Sequence, residues 1–201
     1  MLVLAVDVGI RNIAYCAMLD GQIVEWANEP LCEEVRYEPA SNVRLVKAFV
    51  DKHAQLFARA DHVVVEKQMR ANMRIIEALL HLSHYDKCTI VHARTVKAAF
   101  GLSRSDYRLN KLAAVEYVSK RLEALDDPWR ARFEASRKRD DLADSFLLAH
   151  FFGTRVVTPC TKGSSGPRPQ SATIAALPAC ATADLSSAAA PGARTSSGPS
   201  T

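Results

Sequence analysis

LVLAVDVGIRNIAYCAMLDGQIVEW, residues 2–26, holds three strands in one unbroken stretch. Its first run, LVLAVDV (2–8), is almost continuously apolar and β-branched, the pattern of a strand covered on both faces. Gly9 then permits a tight connection into NIAYCAML (12–19). Asp20-Gly21 is a two-residue hairpin signal, and QIVEW (22–26) is the return strand. The chain therefore opens as three antiparallel strands.

Further along, the apolar spacing changes. Residues 42–59 carry apolar side chains at 43, 46, 49, 50 and 57, a helical period. HVVVE (62–66) reads as a short buried strand, and residues 69–84 as a helix with Met73, Ile76 and Leu80 on one stripe. CTIVHA (88–93) is a fifth strand. Residues 107–124 form a third helix, and 141–152 a last one that is apolar nearly all round. Three hairpin-linked strands followed by two strands with helical crossovers imply an α/β fold: a five-stranded mixed sheet with helices on both faces.

Composition sets the outer limits. A chain of 201 residues suffices for one domain with a proper core plus an appendage. From Lys162 to Thr201 there is no aromatic residue, and Ser, Ala, Gly, Pro and Thr dominate. Such a segment cannot bury enough apolar area to offset its ordering entropy. The expected division is a folded domain over 1–158 and a disordered tail over 159–201. The five cysteines form no C-x-x-C pair, which argues against a disulfide framework or zinc knuckle and suits a reducing compartment. MLVLAV lacks a basic leader and is interrupted by Asp7, so it does not read as a signal peptide. No apolar run approaches the roughly 18–20 residues of a membrane span. A soluble intracellular protein is expected.

The acids are the chemical signal. Asp7 closes the first strand and Glu66 the fourth, and in the proposed sheet these are parallel neighbours. Asp141 and Asp144 are three apart on a helix, on one face, with Leu148 continuing that face toward the core. Four carboxylates would then meet at one edge of the sheet. Burial and mutual repulsion make such a cluster costly unless a cation balances it. An all-oxygen site without His or Cys suits Mg²⁺ or Mn²⁺. Two such ions about 3.5–4 Å apart can drive phosphodiester hydrolysis. Capping is the simpler account of Asp140 or Asp141 before an apolar helix, but it leaves Asp144 unexplained. The pattern alone leaves open whether Asp140 or Asp141 is the first helix ligand.

Basic residues lie beside each acid. Arg70 and Arg74, one helical turn apart, come immediately after Glu66. Arg104, Arg108 and Lys111 form a second group, and Arg130, Arg132, Arg137, Lys138 and Arg139 a third. Phosphate contacts of this kind give affinity without sequence information. His81 and His84 have no partner at metal spacing and read as surface residues. Trp26 and Trp129 read as packing residues. No G-x-x-x-x-G-K-[ST] run is present, so no nucleotide cofactor is expected.

AVDVGIRN (5–12), VVVEKQMRANMR (63–74), TVKAAFG (95–101) and KRDDLADS (138–145) together resemble the RuvC-type Holliday junction resolvases. The resemblance is strongest to their poxviral and fungal mitochondrial branch, within the ribonuclease H-like superfamily. It covers residues 1–155 and implies a ribonuclease H-like fold. It also implies a Mg²⁺-dependent endonuclease, with two ions and Mn²⁺ as a substitute, that makes paired nicks in four-way DNA junctions. By the resemblance Asp7, Glu66, Asp141 and Asp144 are the metal-binding catalytic acids. Lys97 and Lys111 match lysines placed near the scissile phosphate. Lys111 is expected to be catalytic; Arg70, Arg74, Lys97, Arg104, Arg108, Lys138 and Arg139 are expected to contact DNA. A homodimer follows, because a junction is resolved by two symmetric nicks, and the expected location is the site of DNA replication. A nuclease acting on RNA–DNA hybrids or RNA precursors would share all four acids. A junction-binding module that does not cut would share the basic surface.

Overall fold

The computed structural model describes residues 1–32, 36–125 and 127–157; the expected tail, 159–201, lies outside them. The chain divides at Thr161, and the architecture that follows is that of the first unit. Five strands form one sheet: β1 (Leu2–Val8), β2 (Asn12–Leu19), β3 (Gln22–Pro30), β4 (His62–Glu66) and β5 (Cys88–Val91), in the order β3-β2-β1-β4-β5. β2 runs antiparallel to both β1 and β3, while β4 is parallel to β1 and β5 parallel to β4. This is the mixed sheet expected from the sequence. Its connections explain two local residues. A Cβ on Gly9 would sit 2.6 Å from the Asn12 carbonyl oxygen, so the β1–β2 turn excludes any larger residue. Asp20 and Gly21 take φ of 49° and 85°, the left-handed pair that a tight hairpin requires.

Strand alternation sorts the core into two layers. Leu2, Leu4, Val6 and Val8 of β1, with Val63 and Val65 of β4, face α1 (Asn42–Lys52), α2 (Ala54–Arg59) and α3 (Ala71–Ser83). Val3, Ala5 and Val64 face the other way. They meet α4 (Ala93–Ala99), α5 (Tyr107–Ala124), α6 (Trp129–Ala135) and α7 (Arg139–Val157). Helices thus cover both faces. A bulge where β2 passes Val24 puts Ile23 and Trp26 together on the α7 side.

Several boundaries differ from the sequence pattern. The helix expected over 42–59 breaks at His53, whose backbone leaves the helical region. Its ring packs 4.8 Å from both Tyr15 and Phe49 and reaches Glu29 at 3.2 Å, so an anchor to the sheet outweighs helical continuity. The second helix starts at Ala71 rather than 69, and β5 stops at Val91, turning at His92 into the unexpected α4. α6 was also unexpected. Each is seven residues long and buries a single apolar side chain, Val96 or Phe133, so neither shows a helical period. The last helix starts at Arg139, two residues early. Asp140 and Asp141 therefore lie inside its first turn, where the helix dipole favours anions, and neither is the cap. His84 is not a free surface residue: it stacks on Phe57 at 4.3 Å, and burial pulls its pKa down.

Trp26 locks α7 to the sheet. It is 1% exposed and stacks on Phe133, with ring centres 5.2 Å apart. Its indole N–H donates to the Leu142 carbonyl at 3.1 Å and to Ser145 Oγ at 3.2 Å. Trp26→Phe keeps an aromatic ring but removes this donor and some volume. The expected loss is about 2 kcal/mol, seen as a lower urea midpoint with unchanged slope. Trp129 also packs, donating to the Ile23 carbonyl at 3.2 Å.

Candidate active site

The alternation that sends Val3 and Ala5 toward α7 sends Asp7 there too. In β4 the same parity carries Val64 and then Glu66. Val6 pairs with Val65, so the next residues along, Asp7 and Glu66, emerge side by side at the carboxyl ends of parallel strands. Across the other flank, Asp7 pairs with Ala14, and Ala14 with Asn28. A transverse row, Glu66–Asp7–Ala14–Asn28, thus runs across the sheet beneath the start of α7.

α7 supplies the remaining acids. One carboxylate oxygen from each of Asp7, Glu66 and Asp144 lies within 4.8 Å of the others. Among the described residues this is the one such grouping of metal-binding side chains. Asp141 is not in that triad. It lies on the wall of the same cleft, where Asn28 Nδ2 donates to its Oδ2 at 3.1 Å. Convergence of four acids thus resolves into a tight three and a neighbour. The cleft has a volume of about 810 Å³, and Arg11, Lys67, Arg70, Arg94, Lys111 and Lys138 stand along its lining.

Electrostatics follow from that crowding. Asp7 is densely surrounded by protein, and burial holds its pKa well above the ordinary carboxylate value. Repulsion from Glu66, Asp144 and Asp141 adds to this, against partial relief from Lys97. Glu66 is pushed up to about 7, chiefly by burial and then by Asp144. Asp144 is raised by burial and held back by Lys97. Lys97 Nζ stands 3.0 Å from Asp144 Oδ1, a buried charged contact that offsets part of the burial cost.

Lys111, on α5, is ion-paired with Asp140 and lies 5.3 Å from the Tyr107 ring centre. Burial pulls the lysine down, but the Asp140 hydrogen bond outweighs it and leaves the pKa raised. Burial pushes Asp140 up, and Lys111 more than reverses that. Asp140 is thereby committed to a lysine on α5, and Asp141 is the first-turn acid that lines the cleft.

The basic residues separate in the same way. Arg70 and Lys138 line the cleft, whereas Arg74, Arg104, Arg108 and Arg139 are exposed outside its lining. Arg104 folds back, donating to the Gly101 and Ser103 carbonyls. Lys97 is half-buried against Asp144, inside the cluster and not on the outer surface. Sequence reasoning missed Arg11, Lys67 and Arg94 as cleft residues. It also missed Asn28, whose one signal is its parity with Trp26, two residues earlier on the same face.

The protein family described as Poxvirus A22 protein matches residues 1–152. No curated protein matches the sequence. Among solved structures, the chain is similar to the fowlpox virus resolvase in complex with its substrate Holliday junction DNA. The TM-score is 0.61 at 16% identity, covering 79% of this chain and 100% of that one. It is also similar to RuvC of Thermus thermophilus, with a TM-score of 0.54 at 17% identity, covering 79% and 98% of the two chains. At these identities the likeness is one of fold. Among the described residues no helix is long and apolar enough to cross a membrane.

Proposed function

The chain belongs to the Poxvirus A22 protein family, and on that premise we propose that it is a Holliday junction resolvase. In this reading residues 1–158 form a divalent-metal-dependent, structure-selective endonuclease domain that introduces paired symmetric nicks into four-way DNA. The observation that carries the proposal is the carboxylate triad of Asp7, Glu66 and Asp144 at the floor of a basic cleft. The relatives of similar fold include a resolvase and a RuvC, each also described with Holliday junction DNA. The protein acts as a homodimer where branched DNA arises, at the site of viral DNA replication.

The donor set fits a hard cation. It is all oxygen, without cysteine or histidine, and its three carboxylates each offer an oxygen within 4.8 Å of the others. Asp7, Glu66 and Asp144, with Asp141 beside them, would hold Mg²⁺ as a pair of ions, with Mn²⁺ as an acceptable substitute. Bound there, such ions lower the pKa of water and offset charge on the departing oxygen.

The chain's own residues supply the rest. Asp7 and Glu66 stand on neighbouring strands and Asp144 on a helix packed against both, so their spacing is set by the core. Lys97 keeps positive charge against Asp144 and limits repulsion within the triad. Lys111 is held at the cleft wall by Asp140, within reach of a phosphate lying over the acids, and takes the catalytic lysine role. Arg70 and Lys138 on the lining, with Arg74, Arg104, Arg108 and Arg139 outside it, grip flanking phosphates and orient the junction arms.

The test is a synthetic four-way junction offered with Mg²⁺ beside a linear duplex and an RNA–DNA hybrid. Paired nicks on opposing strands of the junction, with both other substrates largely intact, are the expected result. Preferential cutting of the hybrid would transfer the assignment to RNA-directed cleavage. Binding without any nick would leave only a recognition module.

A further inference from the structure

Each of the three carboxylates at the start of α7 meets a partner from a different element. Asp140 pairs with Lys111 of α5, Asp144 with Lys97 of α4, and Asp141 with Asn28 of β3. Two of these partners are cations and one is neutral, and that difference has chemical content. A lysine beside a carboxylate cancels its charge and competes with any metal ion for it. An amide donor fixes which oxygen points where and leaves the negative charge intact. Among the described residues Asn28 is the one hydrogen-bond partner of the Asp141 side chain. It takes Oδ2 and leaves Oδ1 as the atom not already engaged.

The strand is well suited to hold that position. Two residues before Asn28, on the same face, Trp26 donates to the Leu142 carbonyl and to Ser145 Oγ. β3 therefore grips α7 at Asp141 itself and just beyond it, at Leu142 and Ser145, and Ala14, between Asp7 and Asn28 in the transverse row, lines the cleft. We propose that Asn28 is a positioning residue. It orients Asp141 as a ligand for a divalent cation shared with the Asp7–Glu66–Asp144 triad. The proposal rests on the metal-dependent reading above, but its test does not depend on DNA cleavage.

The full chain and Asn28→Ala are titrated with Mg²⁺ while thermal unfolding is followed, and nicking of the four-way junction is measured over the same Mg²⁺ series. Loss of a residue that orients a metal ligand typically costs 10–100-fold in metal affinity. The variant should therefore need at least about tenfold more Mg²⁺ to reach half of the metal-induced rise in Tm and half-maximal nicking. At saturating Mg²⁺ its nicking should return to within about threefold of the parent, because Asn28 touches neither DNA nor the reacting atoms. The Tm without metal should move by only about two degrees, where a merely structural role would move it and leave the Mg²⁺ midpoint in place. Asn28→Ser is run in parallel, so that poor folding of the alanine variant does not remove the test. A Mg²⁺ midpoint within about twofold of the parent in a folded variant overturns the proposal. A parent that gains Tm with Mg²⁺ but never nicks a junction overturns the resolvase reading and leaves the role of Asn28 to be decided by the midpoint shift.

Discussion

Asp7→Asn should abolish junction nicking, by on the order of a thousandfold or more, while making the metal-free protein more stable. Both effects come from one charge. Asp7 projects from a central strand between Glu66 and the α7 acids, and burial together with their repulsion already opposes its ionisation. An amide of the same shape removes that repulsion, so the melting temperature in EDTA should rise. The same amide removes the central anionic ligand, so the rise in Tm that Mg²⁺ gives the parent should shrink to a small fraction. Time courses of nicking and paired melts, with EDTA and with Mg²⁺, measure both signs at once. A variant that cuts at nearly the parental rate would remove Asp7 from the chemistry.

The second large effect is a stability that depends jointly on pH and metal. Glu66 has its pKa raised from 4.5 in the open chain to about 7 in the fold. Between those values the folded state holds a proton that the unfolded state has released. Its contribution to stability is therefore complete below about pH 4.5 and is lost as pH climbs through about 7. A shift of that size corresponds to on the order of 3 kcal/mol. Asp7 and Asp144 are raised as well and act in the same direction. In EDTA the protein should thus weaken steadily between about pH 5 and about pH 8. With saturating Mg²⁺ the carboxylates stay ionised in the fold, and the slope should flatten or reverse. A metal-free Tm that does not change across this window would contradict the clustering of the acids.

Much of this architecture was legible in residues 2–26, because strand alternation and an Asp-Gly turn are local signals that packing does not overrule. Asp7 and Glu66 could be placed together from sequence for the same reason: once two strands are parallel neighbours, their ends coincide. The choice between Asp140 and Asp141 was not legible. Both lie about one turn before Asp144, and only the side chains facing them, Lys111 and Asn28, tell them apart. The parity of Asn28 with Trp26 gains its meaning only from the register of three strands and a bulge in β3. The break at His53 and the short helices α4 and α6 were hidden because anchoring side chains and single buried residues, not periodicity, define them. Lys97 read as a DNA contact near the scissile phosphate, and its partial burial against Asp144 is a property of the packed α4–α7 pair.

The longest helix carries an unusual double duty. Leu147 and Leu148 of α7 are wholly enclosed, one turn from the acids that the same helix delivers to the cleft. A rigid rod transmits displacement along its length, and misplacing a reacting group by about 1 Å can cost a hundredfold in rate. Swaps between similar apolar residues beneath this rod can therefore leave melting behaviour almost intact yet silence the enzyme. Comparable swaps at Ile76 or Leu80, in the opposite layer, displace none of the acids. Tolerance to amino-acid change should therefore be lopsided across the sheet, lowest beneath the helix that carries them.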